Sequence, residues 1–133
     1  MLMICGMRWS GVLAVFCTAL LATGAASAHH SFAMFDTAKQ VMVEGVVKQF
    51  TWSNPHVWLD VTVMDDKGQS QQWGLESLAV GLLYRAGWNA DSLKPGDKVT
   101  VLLHPMRDGT LGGQLIKVTF PDGRVLYSGN ARP

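Results

Sequence analysis

The stretch "VWLDVTVM" (residues 57–64) decides the fold. Val57, Leu59, Val61 and Val63 fall on one side of a period-two pattern, and Trp58, Asp60, Thr62 and Met64 on the other. Strict alternation describes a strand with one face in a core and the other in polar surroundings. Its β-branched residues favour the same extended backbone. Upstream, "VMVEGVVKQF" (residues 41–50) reads as a longer first strand, with Gly45 marking a bulge or sharp bend. "TWSNPH" (residues 51–56) separates the two, because Asn54-Pro55 is a turn signal and proline disfavours a continuing central strand. Downstream, "DDKG" (residues 65–68) turns the chain, and "QQWGLE" (residues 71–76) alternates again with Trp73 and Leu75 inward.

The period then changes. "SLAVGLLYRAG" (residues 77–87) predicts a helix of about three turns, with Ser77 as N-cap and Gly87 as its stop. Leu78, Leu82 and Leu83 give it an apolar flank, and Gly81 weakens it mildly. Trp88 is placed to seal that helix onto the rest of the fold. A turn then feeds a fourth strand over residues 99–103, and "PMRDGT" (residues 105–110) leads to a fifth over residues 111–120. "PDGRVLY" (residues 121–127) adds a short hairpin arm. The order β-β-β-α-β-β is that of an OB-fold, a small five-stranded Greek-key barrel. The competing architecture is an open meander with the helix on one face. The expected fold is an all-β, OB-like barrel with one short helix. Its core covers about residues 40–127, and the segments on either side read as arms.

The first 28 residues read as an export signal. Arg8 is the only charge before Asp36, and "GVLAVFCTALLA" (residues 11–22) is an apolar run of signal length. It is short of the about 20 apolar residues that span a bilayer. Ala26, Ser27 and Ala28 satisfy the small-x-small cleavage pattern, so cleavage is expected after Ala28, with a cut after Ala26 as the alternative. Residues 29–133 then form one exported, periplasmic or secreted domain with no membrane span. Cys5 and Cys17, the only cysteines, fall in the signal, so the mature domain carries no disulfide. The whole chain has 11 basic and 10 acidic residues. That balance argues against broad electrostatic attraction to nucleic acid or anionic membrane.

The strings "HHSFAMFD", "VEGVVKQFTWSNPHVWLDV", "WGLES", "LKPGDKVTV" and "HPMRDGTLGG" together resemble a family of short exported bacterial proteins, domain of unknown function 6152. The likeness covers nearly the whole mature chain. It implies export and a small β-rich domain, and it implies no activity.

Chemistry must come from a short inventory. No H-E-x-x-H, G-x-S-x-G, Gly-rich phosphate loop or C-x-x-C-H occurs. An ordinary hydrolase or nucleotide enzyme is therefore not expected, and the chain reads as a non-enzymatic binding module. Its four histidines are His29, His30, His56 and His104. Met34 lies near the first pair, and Met106 lies two residues past His104. Imidazole suits copper, zinc and nickel, and thioether suits Cu(I), so copper is the ligand this inventory favours. Cleavage after Ala28 would leave the His29 amine and ring able to chelate one ion; cleavage after Ala26 would place His29 third, the position for a square-planar Cu(II) site. The competing readings are a solvated start for His29 and His30, a turn-capping ring for His56, and a strand-end surface side chain for His104. Strands one and four should run antiparallel, which sets the His56 and His104 connections toward opposite ends. Trp52 and Trp58 flank His56. Trp58, beside Asp60 and Thr62 on the polar face, could instead stack on a sugar or a protein partner. Glu76 reads as a helix-start carboxylate.

Overall fold

In a computed structural model of the chain, residues 32–129 are described. The segment read as an export signal, the expected cleavage site, His29 and His30 lie outside the described residues. A single 3-10 turn (Phe32–Met34) precedes β1 (Val41–Thr51), β2 (Trp58–Met64), β3 (Ser70–Glu76), α1 (Val80–Arg85), β4 (Lys98–Pro105), β5 (Gly112–Thr119) and β6 (Val125–Tyr127). The strands neighbour one another in the order β3-β2-β1-β4-β5-β6, and a further β3–β5 pairing closes five of them into a barrel. This is the OB-like order expected from the sequence, with β6 added to β5 as the short hairpin arm.

β1 is long because it serves two partners. Val41 to Val46 pair antiparallel with β4, and Val46 to Thr51 pair antiparallel with β2. At the changeover Gly45 lies so close to β2 that a Cβ there would stand 2.5 Å from the Thr62 carbonyl oxygen. The bulge itself falls slightly later, between Val47 and Gln49. Gly45 is therefore the point of close approach, and the irregular register follows it.

The core is the inner face of the alternating strands. Val57, Leu59 and Val61 are buried, and Val63 packs against them. Val43 and Val47 of β1, Val99, Val101 and Leu103 of β4, and Leu115 and Val118 of β5 complete that face. Trp73 and Leu75 face inward, Leu75 fully buried. Trp88 is buried beneath α1, and its indole N–H donates to the Tyr127 carbonyl at 2.8 Å. Trp88 thus ties the helix region to β6.

The helix is shorter than the sequence predicts, and its start is different. Ser77 is not the N-cap. Its N–H donates to the Val57 carbonyl at 2.8 Å, and Val57 N–H donates to the Leu78 carbonyl at 3.0 Å. The β2–β3 pairing therefore runs on past Glu76 and holds Ser77 extended, with its hydroxyl 2.7 Å from that of Ser128. Ala79 takes the cap position without a side-chain bond of its own. Asn54 supplies the missing acceptor, taking the Val80 N–H on Oδ1 at 3.1 Å. Gly87, at φ +94°, ends the helix as expected.

The segment before β1 is not a loose arm. Phe35 forms a bridge with Met106, Asp36 N–H donates to the Pro105 carbonyl, and Arg107 N–H donates to the Met34 carbonyl. Residues 32–39 form a strap along the end of β4. Phe35 is only 3% exposed, yet it lies outside the barrel's main hydrophobic cluster.

Closure depends on glycine. A Cβ on Gly113 would lie 2.0 Å from the His104 carbonyl oxygen, and one on Gly112 would lie 2.3 Å from that of Gly74. Gly113→Ala should therefore cost about 3 kcal/mol or more in denaturant unfolding. Gly81→Ala, whose new methyl meets nothing within 4 Å, should be neutral or stabilise by up to about 1 kcal/mol. Equal stability of the two variants would contradict this account of closure.

Candidate functional site

The closed sheet aligns four outward side chains in one row. Trp58 on β2 pairs with Glu76 on β3, Glu76 pairs with Gln114 on β5, and Gln114 pairs with His104 on β4. Register partners share a face, and the next residues, Leu59, Leu75, Leu115 and Leu103, are all in the core. The row therefore crosses the barrel's outer surface. Along β1 the two histidine-bearing connections do lie far apart. Round the other way, through β3–β5, Glu76 and His104 are two strand spacings apart, about 10 Å.

Above this row runs a groove of about 150 Å³. Gly74, Gly112 and Gly113 line it with bare backbone. Trp58 and Glu76 line it from β2 and β3, Met34 and Phe35 from the strap, and Met106, Thr110 and Leu111 from the β4–β5 connection. That connection is braced internally. Asp108 Oδ1 accepts the Thr110 N–H at 3.0 Å and its hydroxyl at 2.7 Å. These bonds hold the Asp108 carboxyl below the usual carboxylate range.

Glu76 is 4% exposed. Burial of a carboxylate demands a partner, and His56 provides it, with Nδ1 2.7 Å from Oε1. The ring nitrogen donates and the carboxylate accepts. His56 reaches Glu76 because its loop is pinned on both sides. Asn54, in a cis bond to Pro55, caps α1, and Val57 is paired with Ser77 and Leu78. Glu76 is therefore not the helix-start carboxylate of the sequence reading: α1 begins at Val80, and the carboxylate is committed to His56.

His104 turns its ring toward the strap. Nδ1 lies 2.7 Å from the Lys39 carbonyl oxygen, so this nitrogen is the donor. Arg107 holds the strap's other end. Its Nε donates to the Ala33 carbonyl at 3.0 Å, and its Nη1 lies 3.7 Å from Asp36 Oδ1. Lys39 Nζ lies 3.0 Å from Asp36 Oδ2. The Lys39 hydrogen bond, aided by the charges of Lys39 and Arg107, holds the Asp36 carboxyl below its ordinary value.

Of the residues singled out in the sequence, Met34, Met106 and Trp58 line the groove, His56 binds the glutamate that lines it, and His104 ends the same row. Trp52 lies apart from them, half-buried with its ring 5.9 Å from that of Phe50. His29 and His30 fall outside the described residues. Among the described residues, no three His, Cys, Asp or Glu side chains stand together as a metal cluster. None of the helices described is long and apolar enough to cross a membrane.

Residues 17–115 match the family described as "Family of unknown function (DUF6152)", and the protein belongs to that family. The matched region contains every residue that lines the groove. No curated protein and no solved structure matches the chain.

Two outcomes follow from the ion pairs. His56→Ala should lower stability by about 1–3 kcal/mol by stranding a buried carboxylate, and adding Glu76→Gln should recover part of that loss. Denaturant midpoints of the single and double variants check this; an additive loss would contradict it. Asp36 has a depressed folded pKa. Its contribution is therefore present above the unfolded value, about 3.9, and is lost as pH falls through the lower folded value. Strap amide signals followed by NMR should show opening below about pH 4, and Asp36→Asn should remove that transition. The same transition in the variant would contradict the assignment.

Proposed function

We propose that this member of the DUF6152 family is an exported, non-enzymatic binding protein that takes up copper as Cu(I) in the groove beside Trp58. One observation carries the reading: Met34 and Met106, far apart in sequence, line one groove together with Trp58 and Glu76. Thioether sulfur is a soft donor suited to Cu(I). An indole face favours a cation through its quadrupole. The Glu76 carboxylate, held by His56, adds negative charge beside them. Binding is favoured by the groove's lining, which is mostly thioether, aromatic and glycine, with its one carboxylate, Glu76, committed to His56. In this reading the doubled histidine serves a different oxidation state. A terminal amine with imidazole is a nitrogen site and suits Cu(II), so oxidation state distinguishes the two.

A second reading has its own support. Trp58 is 40% exposed, and Phe32 and Leu111 are exposed as well. This apolar surface would suit a protein or carbohydrate ligand stacked on Trp58.

Cu(I) titration against a competing chelator tests the first reading. Met34→Leu with Met106→Leu should weaken Cu(I) binding by at least about 100-fold, Trp58→Phe should weaken it less, and His29→Ala should leave it unchanged. Cu(I) binding by the double methionine variant at wild-type strength would overturn the groove reading. Loss of a peptide or sugar ligand on Trp58→Ala, with both methionine variants silent, would establish the second.

A further inference from the structure

The geometry points to Arg107 and His104 as positioning residues that clamp the strap, and so make closure of the strap and completion of the groove one equilibrium. This rests on the groove being the binding site and adds what controls it.

The strap contributes Met34 and Phe35 to a groove whose other lining residues belong to the barrel. Its attachments are spread along its length. At one end Arg107 Nε donates to Ala33 O, while Arg107 N–H donates to Met34 O. In the middle Asp36 N–H donates to Pro105 O, and the Asp36 carboxylate faces Lys39 and Arg107. At the far end the His104 ring donates to Lys39 O. Phe35 is the one strap side chain that is buried. A segment held by one buried ring and a handful of bonds near the surface opens more readily than the strands beneath it.

His104 and Arg107 flank Pro105 and Met106, so both clamps spring from the same short run that carries a groove thioether. Their targets are main-chain carbonyls. A carbonyl selects a donor, so neither clamp is a matter of charge alone. Arg107→Lys retains a cation for Asp36 but has no Nε–H for Ala33. His104→Asn keeps an N–H donor for Lys39, whereas His104→Leu has none.

If Met34 reaches the groove only with the strap closed, apparent affinity falls by the closed fraction, and a bound ion must in return protect the strap. The test joins amide exchange to Cu(I) titration on the full exported chain. In Arg107→Lys and His104→Leu, exchange at the Asp36, Lys39 and Arg107 amides should speed up about tenfold or more. Exchange at Val61 and Val101 in the core should not change. His104→Asn should restore most of the protection. Cu(I) affinity in each variant should scale with the closed fraction that exchange gives, and saturating Cu(I) should slow strap exchange in the wild-type protein and in the variants. Unchanged strap exchange in Arg107→Lys and His104→Leu would overturn the clamp. Strap exchange that is the same with and without saturating Cu(I), in a chain that binds the ion, would overturn its link to the groove. If the wild-type chain takes no Cu(I) at all, the copper reading fails and the coupling falls with it, while the exchange pattern alone still decides whether these residues clamp the strap.

Discussion

The contact on which this structure turns is made by backbone alone. Gly113 lies against the His104 carbonyl, and Gly112 against that of Gly74, closer than any side chain would permit. This approach lets β5 pair with β3 as well as β4. Without it β1 to β5 would form an open sheet, and Leu75 and Leu115 would lose their place in a common core. The same contact creates the site. It lines up Trp58, Glu76, Gln114 and His104 across the outer surface. It also leaves a stretch of groove lining without side chains, because the residues that allow closure are glycines.

One buried pair and the strap then give that groove its chemistry. Glu76 sits where water cannot solvate it well, and His56 is placed against it by a loop fastened to α1 and to the β3 extension. Packing thus fixes a carboxylate at a defined point rather than leaving it to a flexible surface chain. Opposite it, the strap adds Met34 and Phe35 without being part of the barrel's main core. The barrel provides the rigid half of the groove and the strap the adjustable half. Soft donors, an aromatic face and a fixed carboxylate in one small space are what a weakly hydrated cation would find favourable.

The sequence was legible wherever burial leaves a period. Val57, Leu59 and Val61 alternate because the face they occupy is fully buried, and the same holds for Val99, Val101 and Leu103. Ser77 misled because an N-cap residue and a strand-end residue look alike until the partner is known; its partner is Val57, across the β2–β3 pair. The glycines at 112 and 113 signal close approach in general terms, yet the carbonyls they approach belong to Gly74 and His104 and appear only in the fold. Pairings between distant side chains leave no local trace. His56 and Glu76 lie on different elements, and His104 meets a carbonyl 65 residues away in sequence. Met106 and Trp58 were recognisable as candidates by residue type. That they share a groove with Met34 follows from closure and the strap, which no periodicity records.

In the proposed copper site, soft sulfur donors of the groove, rather than nitrogen donors alone, hold the metal. X-ray absorption at the copper edge of the Cu(I)-loaded protein tests this most directly. Sulfur scattering is expected in the first coordination shell, lost when Met34 and Met106 are both replaced by leucine. A first shell of nitrogen and oxygen alone, unchanged by those replacements, would contradict it.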